Sequence, residues 1–338
     1  MEFFGLDVGS HIIKAVQLAK RGDKYQLVAA AVVPSTSKGL LSESETDLTA
    51  LATVIKKLHQ DAKIRTKNVA SAIPQDQVSA KLITLPKLSE DELDSALKWE
   101  AEQYVPFPLS EATLAHQVVG QINEGGQPKM EVLLVATPTR LIDKLIKVLK
   151  TAGLNPVSLE MEISAIARSL APPGSKITMV VDLGAKATDL AIVENGQVIL
   201  THSISTAGEA LTRAVAYNLG LDANQAEAYK KAYGVDPNKL EGKITNAIDP
   251  VLEVIVNEME KTIQYSQAKG KSISRIVLTG GTSGLPDIAG LLAKKLNIEI
   301  QIGNPFSQVV VDGILSKIPA ADIPLYASAV GLALKDIT

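Results

Sequence analysis

Three places in this chain join an apolar run to a glycine-containing bend, and each is suited to a phosphorylated ligand. They are Leu6-Asp7-Val8-Gly9-Ser10, Val181-Asp182-Leu183-Gly184-Ala185 and Leu278-Thr279-Gly280-Gly281-Thr282-Ser283. Glycine permits close approach and positive φ, so such a bend exposes backbone N–H groups that can cradle phosphate oxygens. The first two bends also carry an aspartate at the strand end, Asp7 and Asp182. Two carboxylates converging from opposite sides suit a hydrated Mg2+ beside a polyphosphate. The third bend has no carboxylate and suits the nucleoside end. Taken singly, Asp-X-Gly is most often an ordinary turn; two of them together with the third bend, in this order on a duplicated frame, form a much stronger signal.

The elements that must position these residues repeat. Residues 3–28 read as three strands joined by turns at Asp7-Val8-Gly9-Ser10 and Arg21-Gly22-Asp23. Residues 177–200 follow the same plan, and Asn195-Gly196 between apolar runs is a strong hairpin signal. The repeat predicts two duplicated lobes. Leu48, Leu51, Ile55 and Leu58 predict an amphipathic helix over 47–59. A strand over 69–85 ends at Pro86, and Ser89 with Glu92 forms a capping box. The helix it opens carries Leu93, Leu97, Ala101 and Tyr104 on one face. Strands over 116–122 and 131–136 and a helix over 139–151 complete a small α+β insert, residues 78–157. Further helices are expected over 208–219, 224–232, 249–269 and 285–296, with a buried strand at 276–278.

The 338 residues correspond to about two domains, and 46% apolar with 21% charged residues excludes wholesale disorder. A net charge of -3 gives no reason to expect nucleic acid or anionic lipid as a bulk electrostatic partner. The absence of Cys excludes disulfides and thiolate metal sites, and the four His are scattered. No run approaches the ~18–20 apolar residues of a membrane span. The start carries an acid within two residues and no basic region, so it is not a secretory signal. A soluble protein is expected, with any membrane location borrowed from a partner. The cluster Lys56, Lys57, Lys63, Arg65 and Lys67 reads as a solvated helix end.

In their order, the three bends resemble the two phosphate motifs and the adenosine motif of the actin, sugar-kinase and heat-shock-chaperone ATPase superfamily. Phosphate 1 resembles Leu6-Asp7-Val8-Gly9-Ser10, and phosphate 2 Asp182-Leu183-Gly184-Ala185-Lys186-Ala187-Thr188-Asp189. The adenosine motif resembles Leu278-Thr279-Gly280-Gly281-Thr282-Ser283-Gly284-Leu285-Pro286, and no P-loop occurs. The resemblance covers nearly the whole chain. Within the insert, Trp99-Glu100-Ala101-Glu102-Gln103-Tyr104-Val105-Pro106-Phe107-Pro108 is similar to a stretch typical of the PilM family, cytoplasmic actin-like proteins of the type IV pilus machine. Leu159-Glu160-Met161-Glu162-Ile163-Ser164-Ala165 is similar to its first connecting segment. The division protein FtsA shares the nucleotide motifs and the insert's position, but its C-terminal amphipathic anchor has no counterpart in the Ala-rich stretch over 325–334.

The resemblance implies an α/β, actin-like (ribonuclease H-like) fold of two duplicated lobes. Lobe I would comprise 1–77, 158–176 and 320–338, and lobe II 177–319 with a helical part at about 209–268. It implies ATP or ADP with Mg2+ in the cleft, contacted by Asp7, Gly9, Ser10, Lys14, Asp182, Gly184, Ala185, Thr188, Gly208, Gly280, Gly281, Thr282 and Ser283. Asp7 and Asp182 would serve the metal. Lys14 matches a family lysine, but on a strand it also reads as a solvent-facing or interlobe residue. His11 departs from the family's small hydroxyl residues; its imidazole either donates to the phosphates or points outward.

Glu227 and Lys230, at i and i+3 on one helix face, resemble the pair that grips the ribose, or else form a surface ion pair. Glu162 falls where the superfamily places a carboxylate near the attacking water, and is otherwise an interlobe hydrogen-bonding residue. At most slow ATP hydrolysis is expected. Trp99, Tyr104 and Phe107 either pack within the insert or, as the resemblance implies, line a groove for the N-terminal cytoplasmic tail of a PilN-like inner-membrane protein. The expected function is a cytoplasmic scaffold of the pilus assembly platform, recruited to the inner face of the membrane and switched by nucleotide. Pilus motor ATPases are further candidate partners. The alternative is an FtsA- or MreB-like protein that self-associates into filaments. A sugar or acetate kinase would need an acceptor motif, and none is found.

Overall fold

A computed structural model of the chain describes residues 1–311, 313 and 318–336. The parts of the expected lobe segments at 312, 314–317, 337 and 338 lie outside the described residues. The chain opens as the meander β1 (Phe4–Val8), β2 (Ile12–Arg21) and β3 (Lys24–Pro34). Helix α1 (Glu45–Asp61) lays its stripe of Leu48, Leu51, Ile55 and Leu58 onto this sheet. Strand β4 (Asn68–Ile73) returns parallel to β1. The continuous strand expected over 69–85 is broken. Pro74 has no N–H for the ladder, a 3-10 turn at Gln75–Gln77 follows, and β5 (Ser79–Pro86) restarts in another sheet.

That second sheet belongs to the insert. After α2 (Glu90–Tyr104), strands β6 (Ala112–Glu124) and β7 (Gln127–Pro138) complete an antiparallel sheet of order β5-β7-β6. The capping box of Ser89 and Glu92 is formed. Leu93, Leu97 and Ala101 pack on Ile83, Leu85, Met130 and Val132. Tyr104 does not join that face as expected. It is exposed, with the Lys81 ammonium 3.0 Å from its ring centroid.

Helix α3 (Thr139–Thr151) was expected inside the insert and instead leaves it. Its Leu141, Leu145, Val148 and Leu149 join Phe4, Leu51 and Ile55 in the lobe I core, and β8 (Asn155–Met161) pairs with β4. The insert's own sheet therefore ends at Pro138. Its two faces are already covered, one by α2 and the other by packing of Leu133, Val119 and Val135 against α4 (Glu162–Leu170) and lobe II.

Lobe II repeats lobe I. It comprises β9 (Thr178–Leu183), β10 (Thr188–Glu194), β11 (Gln197–Ile204), α5 (Gly208–Leu219), α6 (Ala223–Tyr233), α7 (Lys243–Ala268), β12 (Arg275–Thr279), α8 (Ile288–Leu296) and β13 (Ile300–Ile302). The Asn195-Gly196 hairpin turn forms, with φ of 50° and 79°. Helix α7 begins earlier than the expected 249 and carries Pro250 inside it. The chain then adds β14 (Val309–Val310) to the edge of lobe I and ends its described course with α9 (Ala327–Ala333). The lobe I sheet has the order β14-β3-β2-β1-β4-β8, and the lobe II sheet β11-β10-β9-β12-β13. Apart from β14, the two correspond strand for strand, including the change from antiparallel to parallel neighbours.

Two short helices, α4 and α9, cross between the lobes. A Cβ on Gly331 of α9 would lie 1.7 Å from the Ala165 carbonyl of α4, and one on Gly5 of β1 would lie 2.2 Å from the Ala329 carbonyl. Backbone meets backbone at both points, so no side chain fits there. On its other side α4 packs Ile163 and Ile166 against Val180 and Val277 of lobe II. Among the described residues, no helix is long and apolar enough to cross a membrane.

Candidate functional site

The Gly9 and Gly184 bends are built alike. The register pairs Val8 with Ile13 in one and Leu183 with Thr188 in the other. A Cβ on Gly9 would lie 2.6 Å from the Ile12 carbonyl, and one on Gly184 would lie 2.7 Å from the Ala187 carbonyl. Both turns therefore require glycine to close. Ser10 stands exposed beside the first bend. Between the bends Asp7, Lys14, Glu162, Asp182, Gly280 and Ser328 line a common cavity.

Lys14 is not solvent-facing. It lies opposite Asp7 on β2, and its Nζ donates to Asp7 Oδ2 at 2.7 Å, with both side chains nearly buried. Burial alone would lower its pKa, but the carboxylates of Asp7, Glu162 and Asp182 hold it above the ordinary lysine value. The equivalent pair in lobe II is Asp182 opposite Asp189. No cation answers it from the neighbouring strand. Burial pushes Asp182 up to about 6, helped by Asp7 and opposed by Lys14. Burial also pushes Asp189 up to about 7, opposed by the Ser203 hydroxyl and helped by Asp182 and Asp76. Asp189 Oδ1 is buried with no hydrogen-bond partner among the described residues.

Glu162 opens α4 at the floor of the cleft. Burial, followed by the charges of Asp7 and Asp182, pushes its carboxyl well above the usual range, against Lys14. Among the described residues, no three His, Asp or Glu side chains gather closely enough to hold an ion directly. The Asp182–Asp189 pair, which has no cation across its own hairpin and keeps an orphaned oxygen, instead fits a divalent ion held through its water shell. Gly280, at φ 83°, preserves that space: a Cβ there would lie 2.3 Å from Asp182 Oδ1.

The Gly184 carbonyl joins the second bend to two other elements. It accepts from the Gly208 N–H at 3.1 Å and from Thr282 Oγ1 at 3.2 Å, while the Glu209 N–H donates to the Ala185 carbonyl at 2.9 Å. A Cβ on Gly208 would lie 2.7 Å from Thr282 Oγ1. Two expected ligand hydroxyls are engaged internally. Thr188 Oγ1 donates to the Thr206 carbonyl at 2.8 Å, and Ser283 Oγ to the Gly280 carbonyl at 2.7 Å. Gly281 sits beside Leu325.

Lys230 is 4% exposed, and its Nζ contacts the Gly208 carbonyl at 3.0 Å, Thr212 Oγ1 at 2.8 Å and Glu227 Oε2 at 2.7 Å. All three donors are used within the fold, so Lys230 braces α5 against α6. Burial would raise the Glu227 pKa, but hydrogen bonds from Lys230 and Thr212 bring it down to about 2. Glu227 is the member of the pair that remains partly open to solvent. His11 points across the cleft, with Nε2 3.4 Å from Glu209 Oε1 of α5. Two members of the site were not singled out from the sequence. Asp189 closes the phosphate 2 run, and its position opposite Asp182 follows from hairpin register. Ser328, whose buried Oγ has no partner among the described residues, sits in an Ala-rich helix that carries no signal.

On the insert, Trp99 is 63% exposed on the outer face of α2, and Phe107 is half-buried in the turn that follows. Among the described residues β6 pairs only with β7, which leaves its outer edge open.

Duplicated sheets of this order, with paired glycine bends across a cleft and crossing helices behind it, define the actin-like ATPase fold. The chain belongs to the family of the type IV pilus assembly protein PilM, whose model matches residues 5–337. It is similar to a chain of the PilM–PilN type IV pilus biogenesis complex, with a TM-score of 0.84 and 29% identity, covering 99% of this chain and 98% of that one. Cell division protein FtsA of Streptococcus pneumoniae is 22% identical over 346 residues, covering 90% of this chain and 75% of its own. The ethanolamine utilization protein EutJ of Carboxydothermus hydrogenoformans shares the fold, with a TM-score of 0.58 and 20% identity over 98% of this chain and 88% of that one.

Proposed function

We propose that this chain is a nucleotide-switched scaffold of a type IV pilus assembly platform that captures the N-terminal cytoplasmic tail of a PilN-like membrane protein. The observation that carries the reading is the full-length likeness, at 29% identity and a TM-score of 0.84, to a chain of the PilM–PilN complex. ATP or ADP would lie between the Gly9 and Gly184 bends, with the ribose toward Glu227 and the base toward Gly280, Gly281 and Thr282. Bound Mg2+ would neutralise phosphate charge, held through water by Asp7 and Asp182 with Asp189 beside them. Glu162 would orient the attacking water, and turnover would be slow. The backbone contact of α4 with α9 would make lobe closure a rotation about that crossing. Such closure would alter the surface offered to the peptide and to pilus motor ATPases.

The peptide surface would centre on Trp99, Tyr104 and Phe107. Exposed Trp99 supports this, and the open edge of β6 offers a site for strand addition. The protein would act at the inner face of the cytoplasmic membrane. The test is titration calorimetry with a synthetic peptide of the partner's N-terminal cytoplasmic residues, with Trp99 fluorescence followed in parallel. Binding that shifts the fluorescence and is lost in Phe107→Asp is expected. Absence of binding would overturn the scaffold reading, and binding unchanged by Phe107→Asp would move the groove elsewhere. The FtsA likeness over 90% of the chain favours a second reading, a polymer-forming ATPase. Pelleting that requires MgATP and no partner would favour it.

A further inference from the structure

The five basic residues that read as a solvated helix end are only part of a larger charged pole. Strands β1, β4 and β8 are parallel and start in register, with Phe4 opposite Val69 and Asn68 opposite Asn155. Antiparallel β2 delivers its turn into β3 to the same end of the sheet. Lys20, Arg21 and Lys24 from that turn, and Lys150 from the last turn of α3, therefore join Lys56, Lys57, Lys63, Arg65 and Lys67. The Asn155 N–H donates to the Lys67 carbonyl at 2.8 Å, and Thr66 Oγ1 to the Glu2 carbonyl at 3.0 Å, which ties the loops together.

All nine cations are exposed, and among the described residues none enters an ion pair. The acids on these same segments are Glu2, Asp23 and Asp61, on a chain whose net charge is -3. Elsewhere on α3, by contrast, Arg140 and Lys147 are answered by Glu43 and Glu45. The pole lies at the start of β1, whereas Asp7 and the Gly9 bend lie at its far end. The nucleotide cleft therefore does not account for it.

We propose that this pole is an electrostatic docking surface for an anionic phospholipid membrane. Seven of the nine cations are lysines, spread over strand ends, helix ends and the loops between them, a diffuse set of hydrated point charges suited to a headgroup layer. The aromatic residues on these segments with any exposure, Phe3, Tyr25 and His59, are all half-buried, with Lys20 near the Tyr25 ring, so no exposed stacking platform for single-stranded nucleic acid is present there among the described residues. The pole is made of strand starts and helix ends, so it presents no helix to a major groove. Such a surface would orient the protein with its cleft away from the bilayer. It is independent of the nucleotide and peptide readings.

The test is co-sedimentation of the full chain, without nucleotide or peptide, with vesicles of phosphatidylcholine alone or mixed with phosphatidylglycerol. Binding only to the anionic vesicles, weakening steeply as salt is raised, is expected. A cation near such a surface contributes roughly fivefold to partitioning, so Lys24→Glu, Arg65→Glu and Lys67→Glu together should reduce it at least ~100-fold. Among the described residues these side chains make no hydrogen bond or ion pair to lose, and unchanged thermal melting would verify folding. Lys38→Glu, Lys98→Glu and Lys239→Glu together change net charge equally on other faces and should bind within about threefold of the parent, since screening limits distant charges. Equal losses in the two triple variants, or no anionic preference by the parent, would overturn the proposal. Tighter binding to a duplex DNA than to vesicles, lost in the first variant, would make the pole a nucleic-acid surface and also overturn it.

Discussion

Lys14 and Asp189 occupy the same position of the duplicated frame and carry opposite charge. Each lies directly across the hairpin from the aspartate of its bend, Lys14 from Asp7 and Asp189 from Asp182. In lobe I the aspartate has a counter-cation at 2.7 Å; in lobe II it faces a second carboxylate. The same backbone thus makes one neutralised wall and one electron-rich wall.

The first consequence is a pH dependence. Asp189 is raised from 3.8 to about 7, so the native state holds a proton that the unfolded chain has released between those values. Stability from this group is therefore highest below the unfolded pKa and falls as pH rises through the window. Asp189→Asn removes the cost of a buried charge. The metal-free variant should exceed the parent at pH 8 by up to about 4 kcal/mol, with the gap closing toward pH 4. Thermal melts across that range check it; parallel pH profiles would show that Asp189 carries no such cost.

Asp182→Ala should weaken MgATP by at least ~10-fold, since a lost hydrogen bond to a charged group costs about 1.5–3 kcal/mol. Titration calorimetry on the folded variant decides the point. Unchanged affinity would remove Asp182 from the ligand site.

Glu227→Ala should weaken ATP while sparing inorganic triphosphate, because the proposed contact is to ribose. Lys230 would keep its bonds to Gly208 and Thr212 and continue to brace α5. Equal losses for both ligands would instead mean that Glu227 acts through the α5–α6 packing.

Glu162→Gln should retain nucleotide and lose most of whatever hydrolysis the parent shows. Because burial and the charges of Asp7 and Asp182 hold Glu162 protonated above the usual range, the parent rate should rise with pH. The variant should lack that rise. A variant with the parent's rate and profile would leave Glu162 as a structural residue.

Much of this architecture was legible along the chain because the controlling interactions are local. The Asn195-Gly196 turn, the Ser89 capping box and the glycine bends are decided by residues a few positions apart. Hairpin register is equally local, which is why Asp182 and Asp189 can be placed opposite each other by counting from the bend. The repeat of strand, bend and strand also implied two lobes, and the two sheets have that correspondence.

Tertiary structure alone decided the rest. The apolar stripe of α3 states that the helix must pack, but not on which sheet; the covered faces of the insert send it to lobe I. Tyr104 has the spacing of a core residue, yet it stands at the surface with the Lys81 ammonium of a neighbouring strand over its ring. His11 meets Glu209 only because the lobes close on each other, and Ser328 reaches the cavity only because α9 crosses α4 at Gly331. The basic pole depends on three strands starting in register, which no local run of residues encodes. Sequence by itself determined the turns, the caps and the chemistry available at each bend, since these depend on backbone freedom and near neighbours. Which groups share a cavity, and which charges remain unanswered, depended on long-range packing of surfaces that are interchangeable in sequence and distinct only in shape.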